Sequence, residues 1–468
     1  MTSHPPAHAE GIHPAPAAVA RAVRLTYAQM MLGAVFGAST GGMFLIGFAL
    51  SLGADNIYLG LLGTVPPCLV AFQFLAAYLV ERGISRKQLT FWFALAAPLC
   101  WLLVAAIPFM GERITPLSRL GILLGVVALV TISNQFSGNA RASWLGELIH
   151  ESRRGRFFGT CTLFAGIVGM VFAVAEGGFL DFARAHGTMG FAALFIFGSV
   201  FGLAMAMLNL PQPDCPLPHA TAKGVFWRHL REGLRNRPLV ILALAQAVMS
   251  LGNVAAPFNA AYMLRDVKLS FFGIGVLNAL ATISLLVTAP MWGRLIDRFG
   301  CRPILITGLL IAGPMAYAWL LVPPGAWQMA YTVMPVANVI CNIGMAAVTV
   351  AITTLLYKLT SPRGRSVQFA GYGVFVSLVS APMPLLGGVI VNWLQSRGWH
   401  VDLRLTFYGW GLFMLMAAGV AYFLPEPRAI RTRTLVLGYF PGLLMRWWSG
   451  LAILPLLLGL VRPTDDEK

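Results

Sequence analysis

Few side chains in this sequence combine a hydrogen-bonding or ionisable group with an apolar setting and a regular spacing. Asn134, Ser137 and Arg141 fall at i, i+3, i+7 within one apolar stretch, and Gln246, Ser250 and Asn253 at i, i+4, i+7 within another. Asn338, Asn342, Thr349 and Thr353 share one helical face in a third, and Ser39 and Thr40 sit near the middle of a fourth. Such faces can hydrogen-bond a polar solute, or simply hold neighbouring helices together; both readings stand at this point. Arg141 can clamp an anionic group through charge-assisted hydrogen bonds, or run its charge out to a lipid interface. Glu176, beside Gly177-Gly178, is either a proton carrier or an interfacial acid. No HExxH, no paired His and no Ser-Lys arrangement lies in the apolar stretches, so no catalytic residue, metal site or cofactor is expected. The six cysteines have no CxxC spacing and read as small apolar residues.

The elements that position these groups are dictated by composition. With 58% hydrophobic and 11% charged residues among 468, the chain is far too apolar for a soluble globular protein. Hydrocarbon offers backbone groups no partner, so each apolar stretch of about twenty residues must close its own hydrogen bonds as a helix. Twelve stretches qualify: 25–51, 58–80, 89–110, 118–146, 157–180, 189–209, 239–263, 271–292, 303–323, 327–357, 366–394 and 405–424. The third, sixth, ninth and twelfth hold almost no Asn or Gln and suit a lipid-facing periphery.

The net charge of +16 is dispersed through short connecting segments and not gathered into a patch with stacking aromatics, which excludes a nucleic-acid partner. Arg82, Arg86, Lys87, Arg153, Arg154, Arg156, Arg294, Arg298, Arg302 and Lys358 fall on one side, which the positive-inside rule makes cytoplasmic, together with both termini. The expected organisation is a tail (1–24), a six-helix bundle (25–209), a central linker (210–238), a second six-helix bundle (239–424) and a C-terminal tail (425–468). Pro441, Pro455 and Arg446 make 435–461 an interfacial element in preference to a thirteenth span.

The two sets of six also share local sequence. Glu81-Arg82 with Arg86 recurs as Asp297-Arg298 with Arg302, 216 positions on (81 to 297). Ser152-Arg153-Arg154-Gly155-Arg156 recurs as Ser361-Pro362-Arg363-Gly364-Arg365, offset by 209 (152 to 361), and Gly177-Gly178 as Gly387-Gly388, offset by 210. Three matches at nearly one offset indicate a parallel internal repeat.

The segment Gly293-Arg294-Leu295-Ile296-Asp297-Arg298-Phe299-Gly300-Cys301-Arg302 resembles the loop motif of the major facilitator superfamily. The first-half copy departs from it, with Ala77 for the leading glycine and Glu81 for the acid. The resemblance implies an all-α polytopic fold of twelve transmembrane helices in two pseudo-symmetric bundles, working by alternating access. The expected function is a secondary active transporter in a bacterial inner membrane, moving a small organic solute, neutral polar or anionic, as a monomer with lipid and substrate as its partners. The alternative is a non-transporting protein on the same fold, an assembly factor or ligand sensor.

In the loop motif, Asp297 is expected to meet the start of the fifth helix near Phe157, and Glu81 the start of the eleventh near Val367, clasping the cytoplasmic side shut. Glu147 would pair with Arg82 or Arg86. The competing reading is that these charges anchor loops among headgroups.

Overall fold

The computed structural model describes residues 16–82, 84–148, 151–214, 225–360, 365–398 and 403–426. Its helices are α1 (Ala20–Ser51), α2 (Asn56–Val80), α3 (Arg86–Gly111), α4 (Pro116–Arg141), α5 (Phe157–His186), α6 (Thr188–Met207), α7 (Arg237–Asp266), α8 (Phe271–Phe299), α9 (Cys301–Leu321), α10 (Trp327–Leu359), α11 (Val367–Ser396) and α12 (Thr406–Tyr422). Among the described residues, the first eleven are long and apolar enough to cross a bilayer, and α12 is a shorter apolar helix. The protein is a multi-pass, all-α membrane protein. Each apolar stretch has become one helix with its ends moved by a few residues, while 435–461 lies outside the described residues.

Several helices break where the sequence weakens them. α1 bends at Gly41, and Gly42 takes φ +53°, a left-handed conformation that a side chain would strain. Pro66-Pro67 in α2 is followed by a 3-10 turn over Leu69–Ala71, and α7 tightens into a 3-10 turn over Leu251–Ala255. α11 is interrupted between Ser380 and Met383, at Pro382.

Packing follows the repeat. α3 lies on α4 and α6, α1 on α5 and α6, and α2 on α4; in the second six, α9 lies on α10 and α12, α7 on α11 and α12, and α8 on α10. Across the two sixes, α5 crosses α8, α2 crosses α11, and the last turns of α1 meet α7. A connecting helix, Val225–Arg235, rests on α11, where Gln368 Nε2 donates to the His229 carbonyl at 3.4 Å.

The end of the molecule carrying Arg82, Arg86, Arg294 and Arg298 is called the basic end below, and the opposite one the far end. At the basic end a further repeat emerges from the structure. Glu426, just past α12, accepts from the Cys301 and Arg302 amides at 3.1 and 2.7 Å, satisfying the first free N–H groups of α9. Asp214, past α6, accepts from Ser85 Oγ at 2.9 Å at the start of α3. The two acids stand 212 positions apart (214 to 426), in the register of the sequence repeat.

Candidate functional site

The far end is closed by two helix crossings in which backbone touches backbone. At α5–α8, a Cβ on Gly177 would lie 2.6 Å from the Phe271 carbonyl oxygen, and one on Gly275 would lie 3.1 Å from that of Ala173. At α2–α11, a Cβ on Gly388 would lie 2.3 Å from the Asn56 carbonyl oxygen, and one on Gly60 would lie 2.6 Å from that of Pro384. Only glycine permits this approach. The pairs correspond in their contacts, Gly177 with Gly388, one residue off the offset of 210 that the glycine pairs show in sequence, and Gly60 with Gly275.

Helix ends supply the polar contacts of this seam. Asp181, on the last turns of α5, accepts from the Phe271 and Phe272 amides at 3.1 and 2.8 Å, so an acid caps the positive start of α8. At the other crossing, Asn56 Nδ2 donates to Asn392 Oδ1 at 2.9 Å, and Arg265 Nη1 donates to Asn56 Oδ1 at 3.0 Å. α11 restarts at Met383 after the break at Pro382, and the Leu385 amide in its new first turn donates to Thr64 Oγ1 of α2 at 3.2 Å. Phe44 stacks on Phe271 at 6.0 Å between ring centres, bringing α1 into the same seam.

The polar stripes fare differently from one another. Asn134 is exposed on α4, and Ser137 is half-buried beside the buried Ala140 one turn on. Thr349 and Thr353 are exposed on the face of α10 turned away from Ala347 and Ala351, their hydroxyls donating one turn back to Met345 and Thr349. Asn338 and Asn342 are half-buried on the same stripe, with Asn342 Nδ2 donating to the Asn338 carbonyl at 2.9 Å. On α7, Ser250 is buried and donates to the Gln246 carbonyl, Gln246 Oε1 is buried without a partner among the described residues, and Asn253 lies in the 3-10 turn. Thr40 is buried and donates to the Phe36 carbonyl.

Arg141 is tied inward. Its Nη2 donates to Gln29 Oε1 at 2.8 Å, and Gln212 Nε2 donates to the same oxygen at 2.8 Å, while Gln29 Nε2 donates to the Met205 carbonyl. Gln29 and Gln212 are 1% and 2% exposed, so the guanidinium joins α4, α1 and the segment after α6 through neutral amides. No carboxylate among the described residues lies within ion-pair distance of it. Gln29 was not among the sequence candidates, although an amide on the buried face of an apolar helix is a signal of the same kind.

Glu176 is 5% exposed; Ser39 Oγ lies 2.5 Å from its Oε1 and 2.9 Å from the Val35 carbonyl, two residues before the bend in α1. Its Oε2 is buried without a partner among the described residues. One turn toward the basic end, at Ala173, begins a cavity of about 330 Å³ between α1, α5 and α8, lined by Ala34, Ala38, Gly166 and Gly169, with Asn278 and Thr282. Asn278 and Thr282 stand at i, i+4 on α8 and meet the spacing criterion that selected the other stripes.

Toward the basic end the crossing pairs meet through side chains in place of backbone, and a Cβ on Gly166 of α5 would lie 3.2 Å from Leu286 Cδ1 of α8. A Cβ on Gly373 would lie 3.7 Å from Gln73 Nε2, with nothing closer. Asp297 is exposed, with no hydrogen bond or ion pair among the described residues, and the side chains of 151–156 that begin the helix ahead of Phe157, where its clasp is expected, lie outside them. Gly293 is half-buried, and Gly300 takes φ +95° in the turn between α8 and α9, which accounts for glycine at that motif position. Arg302 Nη1 donates to the Leu424 carbonyl at 3.2 Å, Arg298 lies over the Phe299 ring at 5.3 Å, and Arg82 over the Tyr78 ring at 4.7 Å. Arg86 is buried at the start of α3. The side chains of Glu81 and Glu147 lie outside the described residues.

A family model described as Major Facilitator Superfamily matches residues 242–461. Over those residues, just under half of the chain, it matches the superfamily that its loop motif resembles. The chain is 28% identical over 145 residues to multidrug resistance protein MdtH of Photorhabdus laumondii, a match covering 30% of this chain and 32% of that protein. The matched stretch thus spans about a third of that curated relative (32%). The fold is that of the nucleoside transporter NupG, at a TM-score of 0.64 and 10% identity, covering 86% of this chain and 100% of that one. A bacterial homolog of the human lysosomal transporter Spinster, in an inward-facing and unoccupied conformation, aligns at a TM-score of 0.61 and 16% identity over 87% of this chain and 95% of that one. NupG is named as a transporter and the second solved structure as a homolog of one.

Proposed function

We propose that this chain is a secondary active transporter that moves a small organic solute, neutral polar or anionic, across a bacterial inner membrane by alternating access. It works as a monomer, with both termini and the basic end cytoplasmic, and with bundles 25–209 and 239–424 rocking against each other about the solute. The observation that carries this reading is the far-end seam. Two matching crossings hold the bundles together there through bare glycine backbone and end-on hydrogen bonds, beside an apolar cluster in which Phe271 packs on Phe44 and Phe191. Contacts repeated at matching positions on the two sides can part as a unit. The exposed Asn134, Thr349 and Thr353 support a conformation closed outside and open inside.

The solute path is formed by the stripes on α4, α7 and α10, with Ser39 and Thr40 behind it on α1. The charge within it favours neutral or anionic solutes, because Arg141 faces amides, with no acid among the described residues to neutralise it. Glu81, Arg82, Arg86 and Glu147 act with the Gly293–Arg302 loop in closing the basic end during the other half of the cycle.

The test is reconstitution into liposomes with a panel of labelled organic acids, sugars and drugs, using the Asn56→Cys/Asn392→Cys pair. Saturable flux should stop when the pair is oxidised and return on reduction. Ligands that raise the thermal stability of the folded protein without any saturable flux would replace the carrier with a sensor on the same fold.

A further inference from the structure

The hydroxyl of Ser39 has one proton and two acceptors. The Val35 carbonyl lies 2.9 Å from its oxygen and Glu176 Oε1 lies 2.5 Å from it. If Glu176 is ionised, one of these contacts loses its hydrogen, and a buried carboxylate is left with Oε2 unpartnered among the described residues. If Glu176 is protonated, every contact is satisfied: Glu176 donates to Ser39 Oγ, and Ser39 donates to the Val35 carbonyl. The 2.5 Å separation is typical of a short hydrogen bond between two oxygens.

No charge nearby stands in for that proton. Among the elements packed on α5, α6 has no ionisable residue. On α1 the ionisable groups are Arg21, Arg24 and Tyr27, the nearest about 18 Å along the helix from Ser39 at 1.5 Å per residue. On α8 they are Arg294, Asp297 and Arg298, which begin about 28 Å beyond Gly275 by the same rise. On α5 itself, Asp181 is engaged with the first amides of α8, Arg184 lies 3.9 Å from Asp181 and is mostly exposed, and His186 is exposed at the outer tip. In the turn between α7 and α8, Arg265 bonds Asn56 and Asp266, and Lys268 is exposed. None of these is within ion-pair distance of Glu176.

The acid also sits at the seam. Its neighbour Gly177 carries the backbone contact with Phe271, and Ser39 stands just below the bend at Gly41 from which the last turns of α1 join the same closure. We infer that Glu176 holds a proton while the far end is closed, and that this site couples proton binding to the opening and closing of the seam. When the seam parts and water arrives, the O–H bond of Glu176 breaks, water takes the proton, and a solvated carboxylate remains. Re-closure requires the proton back, so proton concentration on the far side biases the conformational equilibrium. This inference rests on the alternating-access reading but needs no solute for its test.

The full-length protein in lipid nanodiscs, followed by hydrogen exchange in peptides covering 42–60 and 268–276, provides the measurement. After correction for intrinsic exchange, seam protection in the wild type should fall about fivefold or more between about pH 6 and about pH 8.5. Glu176→Gln, which keeps the volume and a donor toward Ser39, should stay protected at both. A flat wild-type profile, or the same slope in the variant, overturns the coupling. Infrared spectroscopy of the wild type supplies a second readout: a protonated-carboxyl band at neutral pH that shifts in Ser39→Ala and is missing in Glu176→Gln. A wild type without such a band overturns the protonation itself. Either failure leaves the carrier reading untouched, because the solute panel tests that separately.

Discussion

The two crossings that close the far end share a backbone design and differ in chemistry. Gly177 on Phe271 and Gly388 on Asn56 are the same contact made twice, 211 positions apart (177 to 388), with Gly275 and Gly60 completing each. Around them the side chains diverge. Asp181 of α5 becomes Asn392 of α11, so an acid on helix amides is replaced by a neutral amide pair. Glu176 becomes Gly387, whose missing side chain admits the Val254 carbonyl, 2.6 Å from where a Cβ would lie. What sterics demand is duplicated, and what electrostatics can use is not. Only the α5–α8 crossing therefore holds a buried acid able to register a proton.

The comparison breaks most visibly if its shared part is removed. Gly388→Val and Gly177→Val each drive a branched side chain into a carbonyl, and overpacking of this kind costs about 1–3 kcal/mol. Each should shift the seam toward open by tenfold or more at the upper end of that range, read as faster exchange over 56–60 and over 271–275 together. Faster exchange confined to the mutated crossing, with the other unchanged, would mean that the two crossings open separately and the bundles do not move as rigid units.

The divergent part predicts a smaller, graded pair of effects. Asp181→Asn leaves two amides at the start of α8 without an anionic cap, a loss of about 1 kcal/mol. Asn392→Ala removes one neutral hydrogen bond, and Asn56 keeps its bond from Arg265, so about 0.5–1 kcal/mol is expected. Raising the salt concentration should narrow the gap between the two variants, since only the first effect is electrostatic. Equal losses at low and high salt would deny the charged crossing its distinct character.

Much of this arrangement is legible in the sequence, for reasons that differ by residue. The helices follow from apolar length, and Gly177-Gly178 with Gly387-Gly388 are visible as a repeat because glycine is the one solution to backbone contact. Gly300 is readable through its motif and explained by its φ. Asp181 escapes notice because it lies past the last residue of the apolar stretch, where an acid looks like ordinary loop; its role depends on where α8 begins in space. Arg141 is legible as an unusual charge, but its tie to Gln29 and Gln212 is not, since these lie 112 and 71 positions away in sequence. Asn278 and Thr282 satisfy the spacing rule used elsewhere and become candidates only when the cavity beside them is seen.

The smallest expected effect lies at the opposite end of the molecule. Asp297 carries the most specific motif position in the chain, yet in this conformation it is exposed and unpaired among the described residues. Asp297→Asn should therefore leave far-end protection and thermal stability within about 0.5 kcal/mol of the wild type, as for exposed positions generally. A charge that meets a helix start only when the basic end shuts has its energy in the other conformation, so the variant's deficit should surface only there. With the far end held open by Gly388→Val, the added Asp297→Asn change should speed labelling of cysteines placed at the basic end. A double variant no faster than Gly388→Val alone would return Asp297 to the role of a headgroup anchor, leaving closure of that end to other groups.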